Sequence, residues 1–242
     1  MNALLAVLLA LPPVVMYHRV DVAAPSDWIS RGLTVSPRQF AQELDAIDRA
    51  GLRTIGIAEL VRDLTAGRTP SHAVLLTFDD GYGDGFDYAL PILRRFGDRA
   101  TFFVNTGTIG TPHHLTWREL GTMAHAGMSI ECHGVDHRDL RMLTPAQQWH
   151  QIDGCIRTLQ DHLHVPVLAY AYPSGAFDAR TILLERRAGL LLGFTTDPRF
   201  ETDPASPYQI VRVRALSGMT DADFVRRLRR CGYVRFATRN VP

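Results

Sequence analysis

The alternation of apolar strand-like segments with amphipathic helical segments constrains the fold of this chain more than any other feature. Residues 73–78 and 167–171 are short apolar runs that predict buried strands, whereas residues 145–162 have the length and periodicity of a helix. Strands separated by helices indicate a parallel sheet with crossover connections, because a parallel pair needs a long return segment. The sequence therefore predicts an α/β fold.

One domain accounts for nearly the whole chain. Its 242 residues suit a single hydrophobic core, and we find no repeat, low-complexity tract or linker. We predict one catalytic-size domain over residues 13–242, preceded by residues 1–12 as the remnant of a leader segment. Residues 2–11 are rich in Leu and Ala, but they are too short to span a bilayer and lack the basic residues that begin a signal peptide.

Two adjacent carboxylates, Asp79 and Asp80, follow the apolar run of residues 73–78 and precede Gly81. Successive side chains on a strand point to opposite faces, so the two carboxylates can have different roles. In α/β folds the C-terminal ends of strands carry the chemistry. A simple turn explains the same residues about as well, because Asp and Gly favour turns.

A histidine pair, His133 and His137, follows another short apolar segment. The i, i+4 spacing brings both imidazoles to one side of a helical turn, or a tight loop makes them converge. Two imidazoles and one carboxylate bind a metal and leave positions open for water and substrate. Because the chain has ten histidines, the pair gains weight only together with Asp80. We predict a catalytic divalent metal ion.

A third segment, residues 169–175, is an apolar strand broken by a Pro-x-Gly turn, and alone it would indicate only a turn. In order, Thr-Phe-Asp-Asp (77–80), His-x-x-x-His (133–137) and Tyr-Pro-x-Gly (172–175) resemble the polysaccharide deacetylase family, the family 4 carbohydrate esterases. Residues 14–20, Val-Val-Met-Tyr-His-Arg-Val, are similar to the opening of the branch with circularly shifted motifs that acts on poly-N-acetylglucosamine. The resemblance covers about residues 13–228.

The resemblance implies a fold and an activity. The fold is a distorted, incomplete (β/α) barrel, and the activity is metal-dependent hydrolysis of N-acetyl groups from an N-acetylglucosamine-containing polysaccharide, which releases acetate. Asp80, His133 and His137 would bind one divalent ion, Zn or alternatively Ni, Co or Fe. Asp79 would be the general base, and His18 the general acid for the leaving amine, with its pKa elevated by Asp79.

Further roles follow from the same resemblance. The backbone N–H of Ser174 would help to stabilise the oxyanion. The substrate-binding residues would be Tyr172, Pro173, Gly175 and Trp117.

The chain departs from the family pattern at several positions. Ala171 and Ser174 stand where many members have Arg and Tyr, so Asp79 lacks its usual arginine partner. Arg212 resembles a family arginine that could substitute, and a surface arginine is an equal alternative. Gly134 replaces a Ser or Thr, and Glu131 replaces a Gly. None of these changes removes a ligand.

The composition of the chain limits which binding partners we expect. The net charge of +1 gives no basic footprint for nucleic acid. The expected partner is an N-acetylated sugar polymer or oligomer, there is no transmembrane span, and the oligomeric state is left open. The three cysteines are odd in number and unclustered, which argues against a disulfide framework and makes Cys132 a small buried thiol.

Two alternatives remain for a chain with these motifs. One is a metal-dependent amidohydrolase that acts on a small or non-sugar amide. The other is an inactive sugar-binding homologue, although that hypothesis requires the loss of Asp79, Asp80, His133 or His137, and all four are present. A polymer-processing enzyme meets its substrate outside the cell interior, so we predict a periplasmic or secreted protein, with the cytoplasm as the alternative.

Overall fold

The structure is a computed structural model that describes residues 8–23, 26–196, 207–230 and 234–237. The strands are β1 (Leu8–Leu11), β2 (Val14–Tyr17), β3 (Arg19–Val20), β4 (Thr34–Val35), β5 (Arg53–Ile55), β6 (Ala73–Phe78), β7 (Thr101–Val104), β8 (Ser129–Cys132), β9 (Ala169–Ala171), β10 (Leu192–Thr195), β11 (Ile210–Val211), β12 (Val213–Arg214) and β13 (Val234–Ala237). The α-helices are α1 (Trp28–Gly32), α2 (Pro37–Arg49), α3 (Ile57–Thr65), α4 (Leu90–Phe96), α5 (Trp117–His125), α6 (Pro145–Leu163), α7 (Ala179–Arg187) and α8 (Asp221–Arg230).

One parallel sheet forms the body of the molecule, in the order β11–β10–β9–β8–β7–β6–β2–β12, with β5 also paired to β6. The path begins in β11 and ends in β12, which are separated in the chain by Arg212 alone. No ladder joins these two strands in the part of the chain that the structure describes. The sheet is therefore a barrel with one open seam, which confirms the predicted incomplete (β/α) barrel.

The two faces of the sheet have different partners, as the strand β6 shows. Val74, Leu76 and Phe78 pack in the cluster that contains the apolar sides of α2, α4, α5, α6 and α8. Ala73 and Leu75 belong to a second, interior cluster, and the apolar side of α3 packs in that cluster too. Thr77 and Asp79 continue the odd-numbered series, so alternation aims Asp79 into the same interior.

Local capping determines where several helices start. The side chain of Ser36 accepts a hydrogen bond from the backbone N–H of Gln39, and Pro37 occupies the first turn of α2. Capping boxes at Thr116 and Thr144 begin α5 and α6. Among the described residues, no helix combines the length and the apolar character that a bilayer crossing needs.

The first residues of the chain are only partly described. Leu8–Leu11 form β1, which pairs antiparallel with β13. Residues 1–7, on which most of the leader prediction falls, lie outside the described residues, as does Cys231. The assignment of residues 1–12 as a leader remnant stays a prediction.

Glu131, which replaces a family glycine, has a structural role. Its side chain lies in the interior with 2% exposure and accepts hydrogen bonds from the N–H groups of Leu168 (2.8 Å) and Ala169 (2.9 Å). These bonds join β8 to β9, which otherwise share a single residue pair. Burial raises the pKa of the Glu131 carboxyl to about 8, because its charged form is desolvated.

We expect Glu131→Gln to flatten the pH dependence of stability. Since the pKa is raised from 4.5 to about 8 by folding, the stabilising contribution of the neutral acid is complete below about pH 4.5 and declines as the pH rises towards 8. The free energy of unfolding that the wild type loses over this pH range is on the order of 4 kcal/mol. Urea unfolding of both proteins between pH 5 and 8 measures it, and parallel stability curves would contradict the assignment.

Candidate metal centre and active-site cavity

A cavity of about 570 Å³ lies at the C-terminal ends of the barrel strands. It brings together six of the predicted site residues. They are His18, Asp79, Asp80, His133, His137 and Ser174. The remaining wall is formed by Trp28, Ile29, Gly32, Leu33, Thr196, Arg214 and Leu216.

Asp80, His133 and His137 form a cluster whose ligand atoms all lie within 4.8 Å of one another. Oδ1 of Asp80 is 3.4 Å from Nε2 of His133 and 3.4 Å from Nε2 of His137. That oxygen is buried and accepts no hydrogen bond in the described structure. A buried carboxylate oxygen that faces two imidazole nitrogens and has no hydrogen-bond partner fits a divalent cation.

The backbone at two of these ligands is left-handed. Asp80 has φ 72°, and His137 has φ 57°. The simple alternation expected for Asp79 and Asp80 therefore fails, because the strand ends at Phe78 and the backbone turns at Asp80. Both carboxylates consequently reach the same cavity. His133 and His137 lie in a loop rather than a helical turn.

His133 is oriented by the backbone of the neighbouring strand. Its Nδ1–H donates to the carbonyl oxygen of Ala171 at 2.7 Å, which leaves Nε2 to face Asp80. A partner on the second ring nitrogen fixes the tautomer and the ring plane of a metal-ligating histidine. Although Ala171 lacks the arginine side chain of many relatives, its carbonyl oxygen thus contributes to the site.

The electrostatics of the cluster favour positive charge. Burial alone would lower the pKa of His133, but the carboxylates of Asp79 and Asp80 outweigh burial and raise it. Burial would raise the pKa of Asp80, yet the three histidines around it lower that pKa well below its usual range. Two carboxylates held ionised beside imidazole nitrogens make a site that a cation stabilises.

Arg212 is the buried partner of Asp79. Its Nη1 and Nη2 donate to Oδ1 and Oδ2 of Asp79 at 2.7 and 2.6 Å, and Nη1 also donates to Oγ1 of Thr77 at 3.1 Å. The side-chain exposures are 0% for Arg212 and 1% for Asp79. The alternative of a surface arginine is therefore wrong. Arg212 lies at the barrel seam, from which its side chain enters the interior.

The bidentate pair determines the charge of Asp79. Burial on its own would raise the pKa of this carboxyl, but attraction to Arg212 and His133 holds the pKa below its usual value. Asp79 is therefore ionised at neutral pH while it lines the cavity.

His18 lies in the cavity wall, but its ionisation differs from the expectation. Burial lowers the pKa of His18, and the opposing pull of Asp79 and Asp80 does not restore it. The elevated pKa expected beside Asp79 is thus wrong for the free protein, because the desolvation of the imidazolium exceeds its attraction to the carboxylates.

The loop between the two histidines is held by Gln151 of α6, a residue that no sequence pattern singled out. Oε1 of Gln151 accepts from the N–H groups of Val135 (2.9 Å) and Asp136 (3.3 Å), and its Nε2 donates to Asp136 Oδ1 at 2.6 Å. Gly134 has φ 93°, and a Cβ there would lie 2.9 Å from the hydroxyl of Tyr170 and 3.1 Å from Oε1 of Gln151. A side chain at position 134 would therefore crowd Tyr170 and Gln151, and glycine lets the loop lie against both residues.

We expect Gln151→Leu to weaken metal binding by about 10–100-fold, the usual effect of losing a group that orients metal ligands. The leucine leaves the N–H groups of Val135 and Asp136 unpaired and frees the loop that carries His137. Isothermal titration with Zn²⁺ measures the change. Gln160→Leu, on an exposed position of the same helix, is the control. Equal affinities in both variants would show that Gln151 does not support the site.

Four residues predicted to bind substrate differ in their placement. Tyr172 is fully buried, and its hydroxyl donates to Glu185 Oε2 at 2.6 Å, so it packs outside the barrel sheet. Trp117 stacks on His162 with 4.0 Å between ring centroids. Neither lines the cavity. Pro173 and Gly175 are buried and shape the turn that exposes Ser174, whose φ is 55°.

The expectation of free thiols is wrong for two cysteines. Cys132 and Cys155 form a disulfide, with 6.0 Å between their Cα atoms and a sequence separation of 23. The bond ties α6 to the end of β8, next to His133. Cys155 and Gln151 lie one helical turn apart, so the same face of α6 supports both ends of the histidine loop.

Comparison with known proteins agrees with this geometry. The family model for the polysaccharide deacetylases matches residues 66–193. YxkH of Bacillus subtilis is 32% identical over 213 residues, which cover 88% of this chain and 74% of that protein. The poly-beta-1,6-N-acetyl-D-glucosamine N-deacetylase of Staphylococcus epidermidis is 25% identical over 81% of this chain and 76% of its own length.

A solved structure shows the same architecture. The Streptococcus pyogenes deacetylase PplD, in complex with acetate, superimposes with a TM-score of 0.82 at 30% identity, over 89% of this chain and 96% of PplD. The region that the family model matches contains the strand-end carboxylates and the histidine pair. By sequence and by fold, the chain belongs to the polysaccharide deacetylase family.

Proposed function

We propose that this protein is a metal-dependent N-deacetylase that hydrolyses the acetamido groups of an N-acetylglucosamine-containing polysaccharide and releases acetate. The observation that carries the proposal is the Asp80–His133–His137 cluster, which shares one cavity with the Arg212-bound Asp79. The substrate class is supported by membership of the deacetylase family and by the activity for which the Staphylococcus epidermidis relative is named.

Asp80, His133 and His137 would hold one divalent ion. Two imidazole nitrogens and one carboxylate suit Zn²⁺ best, and Ni²⁺, Co²⁺ or Fe²⁺ accept the same donors. Such an ion would polarise the acetamide carbonyl and make a water molecule acidic enough to lose a proton near neutral pH.

Asp79 acts as the general base in this proposal. It is ionised at neutral pH, and both of its oxygens are fixed by Arg212, so the carboxylate meets the attacking water in a single orientation. Removal of a proton by a positioned base typically gives about 10²–10⁴-fold in rate. Arg212 is a positioning residue, because it acts on the substrate only through Asp79.

His18 and Ser174, which also line the cavity, complete the proposal. His18 would deliver the proton to the leaving amine. Because its pKa is lowered, the imidazole must first take up a proton, and the proton that Asp79 removes from water supplies it in each turnover. The carboxylates of Asp79 and Asp80 favour this protonation. The backbone N–H of Ser174 is proposed to stabilise the negative charge on the carbonyl oxygen of the tetrahedral species.

We also propose an extracytoplasmic location. The Cys132–Cys155 disulfide supports it, because disulfides persist in oxidising compartments and are rare in the cytosol. The proposed substrate supports it as well, because an enzyme that processes such a polymer meets it outside the cell interior.

The test is acetate release from a panel of N-acetylglucosamine polymers and oligomers, with small N-acetyl amides for comparison and elemental analysis of the purified protein. We expect acetate from the saccharides and one divalent ion per chain. His137→Ala should lose the ion and the activity together, because it removes one of three ligands. Full metal occupancy in His137→Ala would contradict the ligand set, and acetate release from the small amides alone would replace the proposed substrate.

A further inference from the structure

Trp28 presents an uncovered aromatic ring to the active-site cavity, and the proposed mechanism does not use it. Trp28 is 79% exposed, and the next residue, Ile29, is 55% exposed. Both line the cavity that contains Asp79 and Asp80. Large apolar side chains are usually covered in a soluble protein, so an uncovered pair beside a catalytic site indicates a surface that a ligand covers.

The exposure does not result from a loosely formed segment. The side chain of Asp27 caps α1 by accepting from the N–H of Ser30 at 2.8 Å, and Oγ1 of Thr34 donates to the carbonyl of Ser30 at 2.7 Å. These bonds fix the helix while none of its residues is buried. The backbone that carries Trp28 is therefore held at the cavity by local hydrogen bonds.

The other tryptophans have partners for their rings. The chain has three tryptophans. Trp117 stacks on His162, and the guanidinium of Arg187 lies 4.6 Å from the ring centroid of Trp149. In the described structure, no ring or cation packs on Trp28. Met142 and Leu183 are comparably exposed, at 81% and 64%, but they lie away from the cavity.

We propose that Trp28 is a stacking platform for a pyranose ring of the substrate, with Ile29 extending the apolar surface. A pyranose has a face of C–H groups and a rim of hydroxyls, so a flat aromatic ring covers the C–H face while the rim stays hydrated. The inference rests on the proposed function, since it takes the occupant of the cavity to be a saccharide. Trp28 then determines affinity for the sugar chain, and the chemistry stays with the residues around Asp79.

Kinetics of Trp28→Ala test this role on an N-acetylglucosamine oligosaccharide and on a small acetyl ester such as 4-nitrophenyl acetate. We expect KM for the oligosaccharide to rise about tenfold with kcat within about twofold, because stacking is made in the ground state and the transition state alike. Turnover of the ester should not change. Trp28→Phe should retain most of the affinity, and Met142→Ala is the control for loss of an exposed apolar side chain.

A binding measurement separates this inference from the proposed function. Tryptophan fluorescence of Asp79→Asn, titrated with the oligosaccharide, should show a saturable change that Trp28→Phe abolishes. If the fluorescence signal depends on Trp28 but the wild type does not hydrolyse the oligosaccharide, the stacking role of Trp28 is supported and the proposed deacetylase function is wrong. If the oligosaccharide is hydrolysed and its KM is unchanged in Trp28→Ala, the stacking role of Trp28 is wrong and the proposed deacetylase function stands. If Trp28→Ala no longer co-sedimented with phosphatidylglycerol vesicles while its KM for the oligosaccharide was unchanged, this surface would be a membrane contact instead.

Discussion

Asp79→Asn should keep its metal ion and lose deacetylase activity by about 10²–10⁴-fold, whereas Asp80→Asn should lose the metal as well. The two carboxylates are adjacent in sequence and line the same cavity, but the side chains nearest to their oxygens differ. Both oxygens of Asp79 accept from Arg212, and Oδ1 of Asp80 faces the two histidines.

The reason for the split is electrostatic. Asn at position 79 can still accept a hydrogen bond from Arg212, but it has no basic oxygen with which to remove a proton from water. Asn at position 80 removes the negative charge that raises the pKa of His133 and attracts a cation. The first variant therefore loses a rate contribution, and the second loses the centre itself.

Metal content and acetate release, measured on the same preparations, test whether Asp79 is the base and Asp80 the metal ligand. Thermal unfolding is the control, because Asp79→Asn weakens a buried ion pair and the variant must be shown to be folded. Equal metal affinities in the two variants, or a metal loss in Asp79→Asn alone, would mean that the roles of base and ligand are assigned the wrong way round.

The sequence predicted those parts of the molecule that depend on local patterns. The parallel α/β sheet follows from alternating strands and helices, whereas its incomplete barrel form was implied by the family resemblance. Ser or Thr caps mark the starts of α2, α5 and α6. The resemblance of three short motifs also predicted that the carboxylates and the histidines share one site, and the cavity at the strand ends contains them all.

The residues that sequence reasoning missed depend on how distant elements pack. Gln151 and Cys155 look like ordinary helix positions until α6 is placed against the end of β8. Similarly, Val211-Arg212-Val213 is compatible with a surface arginine or a buried one, and only the barrel seam decides between them. Trp117 lies in a segment similar to the family, yet its ring packs on α6 through His162.

Arg212→Met should shift the acid limb of activity to higher pH and destabilise the fold. In the wild type, Arg212 offsets the burial that would raise the pKa of Asp79, so the base is ionised across neutral pH. Without the guanidinium, burial dominates, the pKa rises, and the ionised base is available only at higher pH. Removing one partner of a buried pair also costs about 3–5 kcal/mol, because the other charge is left uncompensated.

The measurements are kcat/KM against pH and urea unfolding, with two companion variants. Arg212→Lys keeps the charge but cannot make the bidentate contact, so its acid limb should lie between those of the wild type and Arg212→Met. Arg214→Met removes a neighbouring exposed arginine of the cavity wall and should leave the acid limb unchanged. A purely structural role for Arg212 would lower stability without moving the acid limb. If Arg212→Met shifts the acid limb and Arg212→Lys partly restores it, then Arg212 is the residue that keeps Asp79 ionised.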